Sequence, residues 1–96
     1  MILLGKIDGI FTISGRGVIV TPELSDSLDP ELKFSHGDKI ELRRADGFVV
    51  ETAIRGIEFL TPLVRRKPVN IGLLLPPDIN HDDLSKGMEI WLSRSA

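Results

Sequence analysis

His36 and His81 are the only histidines in the chain, and each sits in a turn-like stretch beside carboxylates, Asp38 in one case and Asp82 with Asp83 in the other. Imidazole and carboxylate together suit zinc. No helical spacing brings the two histidines onto one face, so both read as solvent-exposed turn residues and no metal or other cofactor is expected. Cysteine is absent, which removes disulfides, thiolate metal sites and cysteine nucleophiles at once. Serines occur at 14, 25, 27, 35, 85, 93 and 95, none of them in a Gly-x-Ser-x-Gly elbow. Gly15-Arg16-Gly17 lacks the spacing and the Lys-Ser/Thr pair of a phosphate-cradling loop.

Two acids and one basic run remain. Glu51 and Glu58 fall an odd number of residues apart on one expected strand, so they point to opposite faces unless a bulge at Gly56 resets the register. That argues against a pair of carboxylates for acid and base catalysis, and no enzyme is expected. Glu58, flanked by Ile57 and Phe59, is suited to accept a hydrogen bond from a ligand hydroxyl. Arg65-Arg66-Lys67 is the one contiguous basic run, bracketed by Pro62 and Pro68, and reads as a solvated loop tip or a phosphate grip. Arg43 and Arg44 alternate faces, so only one of them joins any patch.

The elements that must position these groups are strands. Expected strands lie near residues 4 to 13, 17 to 21, 38 to 44, 48 to 60, 69 to 75 and 88 to 93, separated by turn residues, a pattern of antiparallel barrels and sandwiches. Ala45-Asp46-Gly47 supplies the positive-φ residue of a tight hairpin. Residues 22 to 36, with Pro22, Ser25, Asp29 and Pro30, read as a long loop holding at most one helical turn. Asp82-Asp83-Leu84 is expected to cap a short turn ahead of the last strand, since Asp accepts bonds from free amides there. The aromatics Phe11, Phe34, Phe48, Phe59 and Trp91 are too dispersed for a stacking platform and are assigned mostly to the core.

An internal echo supports the barrel: Phe34-Ser35-His36-Gly37-Asp38-Lys39-Ile40-Glu41-Leu42 returns as Leu84-Ser85-Lys86-Gly87-Met88-Glu89-Ile90-Trp91-Leu92, each copy placing an apolar anchor and a glycine turn before a strand. The bland reading, favoured over gene duplication, is that a barrel reuses one turn ahead of two strands. With 96 residues the chain fits one domain, residues 1–96 with a core about 7–93, whose sites must be shallow. A formal charge of −2 and a pI near 5.6 offer no polycation for indiscriminate nucleic-acid capture. No run approaches the roughly 20 apolar residues of a membrane helix, and the short apolar start is no secretory signal, so a cytoplasmic location is expected.

Five blocks, in order, resemble the second, β-barrel domain of the translation GTPases, elongation factor Tu above all. They are Phe11-Thr12-Ile13-Ser14-Gly15-Arg16-Gly17-Val18-Ile19-Val20-Thr21, His36-Gly37-Asp38-Lys39-Ile40-Glu41-Leu42, Arg55-Gly56-Ile57-Glu58-Phe59, Val69-Asn70-Ile71-Gly72-Leu73-Leu74-Leu75 and Leu84-Ser85-Lys86-Gly87-Met88. The resemblance implies an all-β, six-stranded antiparallel closed barrel of Greek-key type. It begins near the start of the chain, so no GTP-binding domain is expected and no GTP binding.

The same resemblance implies a ligand site. Glu58 corresponds to a glutamate that lies against the terminal adenosine of aminoacyl-tRNA, with Ile13, Ile19 and Leu74 completing an apolar pocket and Asn70 nearby. The basic residue matching Lys86 approaches the acceptor stem, where charge meets phosphate. Two family arginines are replaced, one by Thr61 and one by Leu75-Pro76. The expected function is therefore a non-catalytic binding module for an RNA or tRNA acceptor end or a ribosomal component, with Arg65, Arg66, Lys67 and Lys86 on phosphate. The alternative is a protein–protein interaction module, with Arg16 as its polar anchor.

Overall fold

In a computed structural model the chain is all-β, and the structure describes residues 1–24, 32–60 and 70–93. Seven strands form one antiparallel sheet: β1 (Ile2–Ile13), β2 (Gly17–Leu24), β3 (Lys39–Arg43), β4 (Val49–Ala53), β5 (Gly56–Leu60), β6 (Asn70–Leu74) and β7 (Glu89–Ser93). Their order across the sheet is β4-β3-β7-β1-β2-β6-β5. Among the described residues there are seven strands where the sequence predicts six, because the single strand expected over 48 to 60 is divided by Ile54 and Arg55 into β4 and β5. No helix among the described residues is long and apolar enough to cross a membrane.

That division curls the sheet into a half-barrel. β4 and β5 are the two ends of the ladder, yet Ala53 and Gly56 are only three Cα steps apart, at most about 11 Å. The corner is bonded to both sides. Ile54 N–H donates to Asp38 O at 2.8 Å and Ile54 O accepts from Gly37 N–H at 2.7 Å, while Arg55 N–H donates to Leu74 O at 2.8 Å. Ile54 itself is buried at the corner, an apolar plug where the sequence shows no turn residue at all.

β1 bends to serve both neighbours. Its register slips between Leu3 and Gly5 against β7 and between Ile7 and Gly9 against β2, and such bulges add local twist. Gly5 is indispensable at the first slip, since a Cβ there would stand 1.9 Å from the carbonyl oxygen of Glu23. β2 runs on through Pro22 to Leu24, three residues further than predicted, with Pro22 opposite Ile7 beside the second slip. Bulged positions accept proline because a ladder donor is dispensable there. Residues 25–31 of the expected loop lie outside the described residues.

The concave face holds an entirely apolar core. Leu4, Ile40, Leu42, Leu73, Ile90 and Leu92 are fully buried within it, and no polar or charged residue among those described is buried. Of the four aromatics whose side chains are described, only Phe34 packs against the core: Phe11 is 55% exposed, Phe48 38%, and Trp91 is half-buried beside Arg43.

The echoed segments form the same turn twice. Asp38 N–H donates to Ser35 O at 3.1 Å and Met88 N–H to Ser85 O at 3.3 Å, with Gly37 and Gly87 at φ 95° and 91°. The strands they launch, β3 and β7, pair with each other about a centre at Glu41 and Trp91. A 3-10 turn at His81–Asp83 precedes the second copy, and its cap is Asn80, whose Oδ1 accepts from Asp82 N–H at 3.0 Å. The aspartates of Asp82-Asp83-Leu84, expected to cap this turn, instead lie within it, and Asp82 is the residue capped.

Candidate functional site

The convex face of β1, β2, β6 and β5 gathers most of the residues that the sequence singles out. The hairpin joining β1 to β2 closes on Arg16 N–H donating to Ile13 O at 3.0 Å, with Gly15 at φ 77° in the turn. Ladder pairs then run Phe11–Ile19, Ile19–Leu74 and Leu74–Gly56, a continuous row across four strands. Because side chains alternate along each strand, Ile13 shares the face of Phe11, and Glu58 shares the face of Gly56. Val18, Val20, Leu73 and Leu75 take the opposite face and belong to the core.

Ile19 and Leu74 are 4% and 7% exposed, yet neither belongs to that core cluster. They form a separate small apolar floor on the outside of the sheet. Gly56 lies directly beside the floor, where a Cβ would make an ordinary van der Waals contact with the Leu74 side chain at 3.7 Å. Phe11 stands at the exposed edge, with Ile13 half-buried next to it along β1.

Glu58 is not a lone acid. The Arg16 guanidinium donates to its Oε1 through Nη2, an ion pair whose side chains stay 55% and 36% exposed. Arg16 leaves the β1–β2 turn and Glu58 rises from β5, so the contact spans β2 and β6, the strands that carry Ile19 and Leu74. Sequence reasoning assigned Glu58 to a ligand and Arg16 to a protein contact. No local pattern links positions 42 residues apart.

The remaining predicted residues distribute differently. Asn70 opens β6, opposite Leu60 in the ladder. Arg65, Arg66, Lys67 and Thr61 lie outside the described residues. Lys86 occupies the turn whose Gly87 N–H donates to Ile7 O at 2.9 Å, and Ile7 is six residues before Ile13, about 20 Å along β1. Lys86 thus stands at the other end of the strand from the apolar floor. Glu51 and Glu58 lie on different strands, β4 and β5, and form no carboxylate pair.

At that other end Lys6, Arg43, Arg44 and Glu89 line a cleft of about 350 Å³. Both arginines reach it, contrary to the expectation from alternation, because the β3–β4 hairpin begins at Arg44 and breaks the strand geometry there. Each is held by an acid and an aromatic. Arg43 Nε donates to Glu41 at 3.0 Å and lies 4.7 Å from the Trp91 ring centre. Arg44 Nε donates to both oxygens of Asp46, at 3.0 and 3.1 Å, and lies 4.4 Å from the Phe48 ring centre. The hydrogen bond from Arg44 and the backbone bond from Phe48 N–H hold the Asp46 carboxyl below its usual range, and the same pairing raises Arg44.

Among the described residues no group of three or more His, Cys, Asp and Glu is disposed to hold a metal ion. His81 and His36 are exposed, with His81 Nδ1 3.9 Å from Asp82 Oδ1. A comparison with models of known protein families finds no match, and neither does a comparison with curated proteins. The half-barrel and its convex apolar floor therefore carry the functional reading by themselves.

Proposed function

We propose that the protein is a non-catalytic binding module whose convex face receives the nucleoside end of an RNA strand. The observation that carries this reading is the apolar floor of Ile19 and Leu74, set apart from the core and placed under the Arg16–Glu58 ion pair. Because Ile19 and Leu74 are already covered, a base would stack at the open edge of their floor, on Phe11 and Ile13. Its ribose hydroxyl would donate to Glu58 in place of Arg16, and the released guanidinium would turn to phosphate, a bond that bidentate geometry favours. In this reading the curled sheet is a closed Greek-key barrel of the elongation factor Tu type, working in the cytoplasm without GTP.

An exposed Phe11 beside the same floor supports a second reading, a protein-interaction surface with Arg16 as its anchor. An NMR titration of the labelled protein with a CCA trinucleotide, then with total tRNA, separates the two. Shifts centred on Ile13, Arg16, Glu58 and Leu74 that weaken steeply with salt support RNA. Silence at millimolar trinucleotide overturns the nucleoside reading.

A further inference from the structure

At the other end of the ladder, β4 is an edge strand with one side unpaired. The inter-strand bonds from Ile54 N–H to Asp38 O and from Arg44 N–H to Phe48 O, both 2.8 Å, fix which residues of β4 bond to β3. Hydrogen-bonded pairs alternate in an antiparallel ladder, so Thr52 and Val50 belong to the same set, opposite Ile40 and Leu42. Val49, Glu51 and Ala53 therefore direct their backbone N–H and C=O groups away from β3. Among the described residues nothing bonds to those outward groups. Three consecutive outward residues make a template about 13 Å long for another extended chain.

A groove of about 580 Å³ lies along this edge. Glu51 and Ala53 form one wall, Pro76 and Asp78 stand across from them, and Lys39 and Glu41 reach in from β3. Three carboxylates face one ammonium. Glu41 and Glu51 are moreover directly opposite each other in the ladder, at a position between hydrogen-bonded pairs where side chains stand close. Like charges so placed are unfavourable, and Arg43 relieves only Glu41. Glu51 is exposed and has no cation of its own among the described residues.

We propose that β4 takes up an extended basic segment of a partner protein as an added strand. Backbone bonds to Val49, Glu51 and Ala53 supply register, and Lys or Arg at alternate positions of the segment meets Glu51, Glu41 and Asp78. A second copy of this chain does not fit. The antiparallel register that pairs all three outward residues sets the two Glu51 carboxylates opposite each other. Glu51 thus blocks edge-to-edge self-association and selects cationic strands. The surface is separate from the apolar floor, so its fate is independent of the nucleoside reading.

The test uses the labelled full chain and two synthetic heptapeptides, Thr-Lys-Val-Lys-Val-Lys-Thr and its counterpart with Glu for Lys. The lysine peptide should bind with Kd tighter than about 1 mM, shift the amides of Val49, Glu51 and Ala53 and slow their hydrogen exchange. The glutamate peptide should leave them unchanged, and Glu51→Lys should invert the preference by about tenfold or more, on the order of one like-charge contact exchanged for an attractive one. A lysine peptide N-methylated at alternate residues keeps its charge and loses its strand donors, so it should not bind. Equal binding of the methylated peptide, or shifts located away from β4, overturns the proposal. So do concentration-dependent β4 shifts without peptide, which would identify a second copy as the occupant.

Discussion

Arg16 and Glu58 meet across two intervening strands, so one arginine from the β1–β2 turn and one acid from an edge strand bracket an apolar floor that neither belongs to. The pair is exposed enough for solvent to screen it, and exposed ion pairs contribute about 0 to 1 kcal/mol. Its significance is one of occupancy: a ligand competing for Glu58 displaces a weak contact.

Arg16→Ala should accordingly shift unfolding free energy by less than about 1 kcal/mol in a urea titration. In the same variant Glu58 is unpaired, so a nucleoside hydroxyl meets no competitor there. Trinucleotide binding at low salt should lose its phosphate contact, and with it about one unit of salt slope. A destabilisation of several kcal/mol would show that the pair holds the sheet together.

Gly5→Ala should be far more damaging than Gly15→Ala. At position 5 the new methyl would sit 1.9 Å from the Glu23 carbonyl oxygen, whereas at position 15 nothing lies within 4 Å. Gly15→Ala therefore costs only the left-handed backbone conformation, roughly 1 to 2 kcal/mol. Gly5→Ala must open the β1–β2 ladder, and circular dichroism with urea unfolding should show loss of cooperativity or a cost at the upper end of point-mutant effects, above about 4 kcal/mol.

Leu42→Ala and Phe11→Ser separate the two faces of the sheet. Leu42 is fully buried in the core, so truncation should cost about 2 to 5 kcal/mol. Phe11 is 55% exposed, and its replacement should change stability by about 0.5 kcal/mol or less while altering ligand binding at the floor. Equal losses for the two variants would contradict the face assignment.

The Asp46 carboxyl is held low by its hydrogen bond from Arg44 and by Phe48 N–H. A folded pKa below the unfolded value contributes stability that is fully present above the unfolded pKa, near 4, and is lost as pH falls through the folded value. Melting temperature followed from pH 5 to pH 2 should therefore fall less steeply in Asp46→Asn than in the unaltered chain. Identical slopes would mean that the hairpin contact is absent in solution.

Much of this architecture is legible in the residues, and the exceptions have physical causes. The Asp46-Gly47 hairpin and the Gly15 turn follow from the need for positive φ, with Gly47 at 96° and Gly15 at 77°. The grouping of Ile13, Ile19, Leu74 and Glu58 on one face follows from strand alternation once the register is known. The corner at Ile54 and Arg55 was hidden because neither residue is a turn former, and burial of Ile54 supplies what turn chemistry does not. β2 continues through Pro22 because a bulge in its neighbour relieves the ladder, a fact of pairing that no single segment encodes. The Arg16–Glu58 contact likewise exists only after four strands have assembled.

The position of β7 between β3 and β1 has a consequence for biogenesis. The β1–β2 and β3–β4 hairpins are local and can form as soon as their residues leave the ribosome, but they touch different sides of a strand that follows both of them in sequence. Until that strand emerges, the edges of β1 and β3 that it pairs stay open. Joining of the two hairpins thus waits for this one strand, and a stalled or clipped chain lacking Glu89–Ser93 leaves two unjoined half-sheets prone to mispairing.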